Sequence, residues 1–212
     1  MAGTANLDAL DLAALLCSRV CHDLISPVGA IMNGIEVMED GKDEETKQFA
    51  LDLIKSSSQK ASARLRFCRL AFGASGSAGA RLDLGEAESV ARGFIADDKT
   101  TLGWNLPKVL LPKNRVKLLL NMLVIAGQAI PRGGALTVEP VGQGDAMGFR
   151  VTATGPIAKV PPPIAGVLAG EAGGEAIDAH KVQPLYTRML AKECGLTVAA
   201  ATEGEAVVVS AR

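Results

Sequence analysis

The chemistry of this 212-residue chain centres on one of its two histidines. His22 lies in "SRVCHDLISPVGAI", with Asp23 directly after it and Pro27 five residues on. A free imidazole is mostly neutral near pH 7 and is then a nucleophile. A carboxylate beside it can orient the ring or accept its proton. Ser18 and Ser26, one helical turn to either side, are small, as is Gly29 two turns along. They leave room for a phosphoryl group and for an approaching partner surface. Pro27 removes the N–H that would bond the carbonyl of Asp23, and its ring pushes that carbonyl aside. The turn holding His22 and Asp23 is therefore expected to be loosened or bent. Gly29 and Gly34 each weaken a helix by up to ~1 kcal/mol relative to alanine, and close approach of another backbone would give them a reason.

Other candidate chemistry is sparse. The four cysteines, Cys17, Cys21, Cys68 and Cys194, are scattered without a CxxC, and are expected to be buried free thiols. Two distant histidines give no metal-ligand cluster, and His180 reads as a surface residue. A formal net charge of −1 gives no electrostatic reason to expect nucleic acid or an anionic membrane as partner. No uninterrupted apolar run approaches the ~20 residues of a membrane span, and "MAGTANLDALD" has no basic segment of a secretory signal. A cytoplasmic location is the expectation.

The elements that must position His22 follow from apolar spacing. Leu7, Leu10, Ala14, Cys17, Cys21, Leu24, Val28, Ile31, Ile35 and Met38 step by three and four, which predicts a long helix over residues 7–40 with a coiled-coil seam. At 1.5 Å per residue it is roughly 50 Å long. Asn6 is the expected N-cap and Gly41 the stop. A second helix, capped by Asp43, carries Leu51, Ile54, Ser58, Ala61, Leu65, Cys68 and Phe72 at the same spacing. The short turn "DGKD" forces the helices antiparallel. One hairpin covers two such stripes poorly, so a homodimer with a four-helix bundle is expected from residues 7–72. His22 falls one position off the seam, on an outward strip with Ser18, Arg19, Ile25, Ser26, Gly29 and Asn33.

"FGASGSAGA", residues 72–80, reads as a linker between a helical hairpin (1–73) and a second domain (81–212). Beyond it, helices at "ESVARGFIA", "RVKLLLNMLVIAGQAI" and "QPLYTRMLAKEC" alternate with strands at "TLGWNL", "GGALTVEPV", "GFRVTAT", "LTVAAAT" and "AVVVSA". Paired antiparallel strands alternating with helices predict an α+β layer domain. The fold class is thus α plus α+β.

"CHDLISPVGAI" resembles the H-box of two-component histidine kinases, in which the phosphoacceptor histidine is followed by an acid, with proline at the fifth position after it. His22, Asp23 and Pro27 match that pattern, and a helical hairpin is the family's context for it. "LLLNMLVIAGQAIPRGGALTV" resembles the N-box helix and following strand of the kinase ATP-binding domain, with Asn121 as its first asparagine. The second, a metal-side residue, falls at Ile125. "RVTATGPIAKVPP" resembles the first glycine box, keeping Gly155. Its adenine-reading acid falls at Ala153 and its second glycine at Ile157. The glycines of the loop before the last helix fall at Lys181 and Gln183. Mg²⁺ needs oxygen ligands that Ile125 lacks, and Ala153 cannot bond the adenine amino group. A phosphate-cradling loop needs glycines, and "KVQP" has none.

An H-box hairpin with a degenerate Bergerat-type, histidine-kinase ATPase-like sandwich resembles the ChpT-type histidine phosphotransferases of alphaproteobacterial phosphorelays. The resemblance implies a homodimer that accepts phosphate on His22 from the receiver of a CckA-like hybrid histidine kinase. It then passes the phosphate to CtrA-like and CpdR-like response regulators that govern the cell cycle. It implies no cofactor of its own, Mg²⁺ being supplied by the partner receiver. The alternatives are an ATP-dependent histidine kinase, which needs the lost asparagine and acid, and a non-catalytic receiver-binding dimer.

Overall fold

The structure, a computed structural model, describes residues 7–74, 79–95, 99–171, 177–178 and 181–212. Helix α1 (Ala9–Asp40) starts at Asp8, whose carboxylate accepts from the backbone N–H of Asp11 at 2.8 Å. Asp8 thus takes the capping role expected of Asn6, which lies outside the described residues. Helix α2 (Glu44–Ala71) is capped by Asp43, as the sequence predicts; the Thr46 N–H donates to its carboxylate at 2.8 Å. Near the turn, Gly34 of α1 faces Ala50 and Ile54 of α2; farther along, Asp23 meets Arg64. That order is the expected antiparallel hairpin.

The predicted seam of α1 does not form one continuous buried stripe. Its buried residues are Pro27 and Gly34, neither of them in that seam. An added Cβ on Gly34 would stand 2.7 Å from Ile54 Cγ1 and 3.3 Å from the Ala50 carbonyl oxygen, so here close approach of the second helix accounts for the glycine. Gly29 has nothing within 4 Å of its Cβ position. Leu10, Val28 and Ile35 of the seam are exposed, and so are Ser58 and Leu65 of α2. Cys17 and Cys21 are exposed rather than buried; Cys68 is buried and Cys194 half-buried. At Gly34 a glycine lets the two helices approach closely, while several larger apolar side chains are left exposed in the single chain.

The second region opens with strand β1 (Arg81–Asp83) and helix α3 (Leu84–Ile95). Strand β2 (Thr100–Trp104), β3 (Leu110–Pro112) and helix α4 (Lys113–Gln128) follow. Then come β4 (Gly134–Val141), β5 (Gly148–Thr154), α5 (Pro162–Ala169), α6 (Val182–Glu193), β6 (Val198–Glu203) and β7 (Ala206–Ala211). The main sheet has the order β2-β4-β5-β7-β6. All its neighbours are antiparallel except β2 and β4, which pair in parallel and so depart from the all-antiparallel expectation. Helix α5 and the small β1–β3 sheet were not anticipated from the sequence.

One face of the sheet packs on α4. Leu136, Val151, Ala153 and Val209 lie in register on that face and are buried. Helix α4 is buried from Arg115 through Ala126, which explains its apolar character all round. Arg115 is satisfied by the carbonyls of Met147 at 2.7 Å and Cys194 at 2.9 Å. Burial, and next the charge of Lys113, push the Lys117 ammonium below its ordinary range. A helical hairpin followed by this α/β sandwich is the fold class the sequence predicts.

The end of α2 belongs to the same core. Phe67, Leu70 and Ala71 join the apolar cluster of the second region. The Phe67 ring stacks on Phe94 of α3 with centroids 3.9 Å apart, a contact worth ~1 kcal/mol beyond its buried area. The base of the hairpin is thereby anchored on the sandwich.

Candidate functional site

His22 projects from the middle of α1 with 77% of its side chain exposed. Its Nδ1 lies 3.5 Å from Asp23 Oδ1. Arg19, one turn earlier, donates from Nε to Asp23 Oδ2 at 3.2 Å. Each carboxylate oxygen of Asp23 thus faces a different neighbour. Ser18, Ile25, Ser26 and Asn33 are exposed beside His22, and Gly29 is half-buried among them. Arg19, placed on the same outward strip by the sequence, turns inward to Asp23 and is only 13% exposed. His180 lies outside the described residues.

Helix α1 is continuous through Pro27, and the loosening expected there takes the form of one lost backbone hydrogen bond. The carbonyl of Asp23, deprived of its partner by that proline, accepts instead from Arg64 Nη1 of α2. Cys68, one turn beyond Arg64, lies buried beneath the site. Burial, and next the Asp23 carboxylate, push its thiol up to about 11, so it stays protonated and inert. Sequence reading missed Arg64, which looks like an ordinary flanking cation; only its reach across to α1 gives it significance.

An exposed imidazole with one nitrogen held against a carboxylate and the other open to a partner can attack an electrophilic phosphorus. Two comparisons bear on what the chain is. A family model described as "Histidine phosphotransferase C-terminal domain" matches residues 84–206. The protein phosphotransferase ChpT of Brucella abortus (strain 2308) is 51% identical over 206 residues, covering 97% of each chain.

The chain belongs to the histidine phosphotransferase family.

A solved structure described as a bacterial phosphotransferase superposes with a TM-score of 0.90 at 48% identity, over 99% of each chain. In this histidine phosphotransferase the residues at the expected nucleotide positions do not fit ATP and its metal. Ile125 and Ala153 are within the apolar core. Asn121 is fully buried, and its amide is already committed. Its Nδ2 donates to the carbonyls of Lys117 at 2.8 Å and Ala71 at 3.2 Å. Its Oδ1 accepts from Gln183 Nε2 at 3.3 Å. The residue aligned with the first N-box asparagine therefore ties α4 to the last turn of α2 and to α6. Gln183, at a loop position glycine would hold in a kinase, is buried in that contact.

Proposed function

We propose that this histidine phosphotransferase carries a phosphoryl group on His22 within a phosphorelay. The observation that carries the reading is the exposed imidazole, backed through Nδ1 by Asp23, on the hairpin of a chain of this family. The donor is the aspartyl phosphate of the receiver of a hybrid histidine kinase, CckA-like. The acceptors are aspartates of CtrA-like and CpdR-like response regulators, and the protein thus acts in cell-cycle signalling in the cytoplasm.

Nε2 attacks phosphorus in line. The N–P bond forms as the P–O bond to the receiver aspartate breaks, and that aspartate leaves as a carboxylate. The Asp23 carboxylate, 3.5 Å from Nδ1, stabilises the imidazolium formed by its charge. The reverse sequence delivers the group to the next receiver. Mg²⁺ held by the receiver offsets charge on the phosphoryl oxygens. The phosphotransferase contributes position and an oriented nucleophile, so it needs no cofactor of its own. Ser18, Ile25, Ser26, Gly29 and Asn33 form the face on which receivers dock. The reading excludes ATP as the donor: among the described residues, Ile125 offers no metal-side oxygen at its expected position, Ala153 no adenine reader, and the Asn121 amide is committed.

The same reading includes a homodimer. Leu10, Val28 and Ile35 on α1, with Phe49 and Leu65 on α2, are between 38% and 81% exposed in the single chain, and a second copy would cover them. Helix α1 has the length and apolarity of a membrane-crossing helix. The Arg19, His22 and Asp23 cluster at its middle, and its packing on α2, fit a bundle instead.

The test is transfer of labelled phosphate from a phosphorylated receiver. His22→Ala should abolish labelling and keep the fold, since the residue is exposed. A fully labelled variant would contradict the reading.

A further inference from the structure

Pro27 creates a local problem in α1. In a regular helix, the N–H of residue 27 donates to the carbonyl of residue 23. Proline has no N–H, so the Asp23 carbonyl has lost its partner in the very turn that carries His22. A carbonyl in a part-buried position needs a donor. The helix could meet that need by bending outward to water, as helices with internal proline commonly do. In this chain α1 is continuous from Ala9 to Asp40 and Pro27 is buried.

The donor comes from the other helix. Arg64 Nη1 reaches across from α2, 41 residues away in sequence, and bonds the Asp23 carbonyl oxygen. The same residue's carboxylate is held by Arg19 on Oδ2 and faces His22 Nδ1 with Oδ1. Asp23 is thus fixed through both backbone and side chain. The His22 ring contacts the one part of it left over.

We infer that Arg64 is a positioning residue for phosphoryl transfer at His22: by supplying the hydrogen bond that Pro27 removes, it fixes Asp23 and through it the imidazole. The inference rests on His22 being the phosphoacceptor. It assigns Arg64 no contact with the receiver. Its Nη1 is engaged by the Asp23 carbonyl, and its charge acts on the buried Cys68, while His22 is exposed.

Because the role runs through one carbonyl, it predicts a specific non-additivity. Arg64→Ala should slow single-turnover transfer at saturating phosphorylated receiver by about tenfold or more, as loss of orientation at a nucleophile does. The receiver's Kd should stay within about twofold, because no docking contact is lost. Arg64→Lys, which keeps one donor, should recover part of the rate. In a Pro27→Ala background the restored backbone N–H serves the carbonyl again, and Arg64→Ala should then change the rate by less than about twofold. Circular dichroism and thermal melting of each variant check that the hairpin is folded at the assay temperature.

An unchanged rate for Arg64→Ala would overturn the inference. So would a raised Kd with an unchanged saturating rate, which would make Arg64 a docking residue. An equal loss in both proline backgrounds would show that it acts other than through the Asp23 carbonyl. His22→Ala is run beside these variants. If it still labels, the phosphoacceptor reading fails and takes the Arg64 role with it. If it does not label and Arg64→Ala matches wild type, only the Arg64 role fails.

Discussion

In the proposed transfer His22 and Asp23 carry the reaction, and the residues that hold Asp23 come from both helices. Cys68 offers a probe of that arrangement from below. Burial and the neighbouring Asp23 carboxylate keep its thiol protonated up to about 11, above the ordinary thiol range. The folded protein therefore retains a proton that the unfolded chain gives up first. The sign follows: this contribution to stability is full below the ordinary thiol range and is lost as pH rises toward the folded value. Denaturant unfolding at about pH 8 and about pH 10.5 should show wild type losing more stability across that interval than Cys68→Ala. Equal losses would mean that Cys68 is not shielded as described. The H-box residues were legible in the sequence because their chemistry is local: an acid and a proline at fixed offsets from a histidine. The burial of Cys68 was legible from its place in the α2 stripe, but the reach of Arg64 was not, because it depends on which face of α2 meets α1.

Two glycines in α1 separate packing from exposure within one element. Gly34 is pressed against Ile54 and the Ala50 carbonyl, whereas Gly29 faces open space. Gly34→Ala should therefore destabilise the protein by ~1–3 kcal/mol through overpacking. Gly29→Ala should stabilise it by up to ~1 kcal/mol, because only helix propensity changes. Urea unfolding of the two variants checks both; equal shifts of the same sign would contradict the packing of the hairpin. Steps of three and four made the long helices legible. They did not reveal how α1 faces α2, because α1 has apolar residues on more than one side and its buried positions, Pro27 and Gly34, lie off the predicted seam. Strands β1 and β3 are too short, at three residues each, to display a period. Helix α5 begins in a proline run that reads as loop. The parallel pairing of β2 with β4 is a long-range choice that no local pattern records.

At the scale of the molecule, a hairpin is anchored on a sandwich in which the positions expected to face nucleotide serve packing. Asn121 joins α2, α4 and α6, and the Phe67–Phe94 stack supports the same junction. The hairpin's outer apolar face calls for a second copy. Sedimentation should give the mass of two chains at micromolar concentration. Val28→Asp or Ile35→Asp should give one chain that remains folded, because an unpaired carboxylate in an apolar interface costs several kcal/mol. A wild-type mass of one chain would contradict the dimer. The central claim is that phosphate reaches His22 from a receiver and not from ATP. The most direct measurement incubates wild type and His22→Ala with labelled ATP and Mg²⁺ alone, and in parallel with a receiver already carrying labelled phosphate. The account predicts label on wild type only in the presence of the receiver, and none on His22→Ala. Label acquired by wild type from ATP alone, and lost in His22→Ala, would contradict it and identify a kinase.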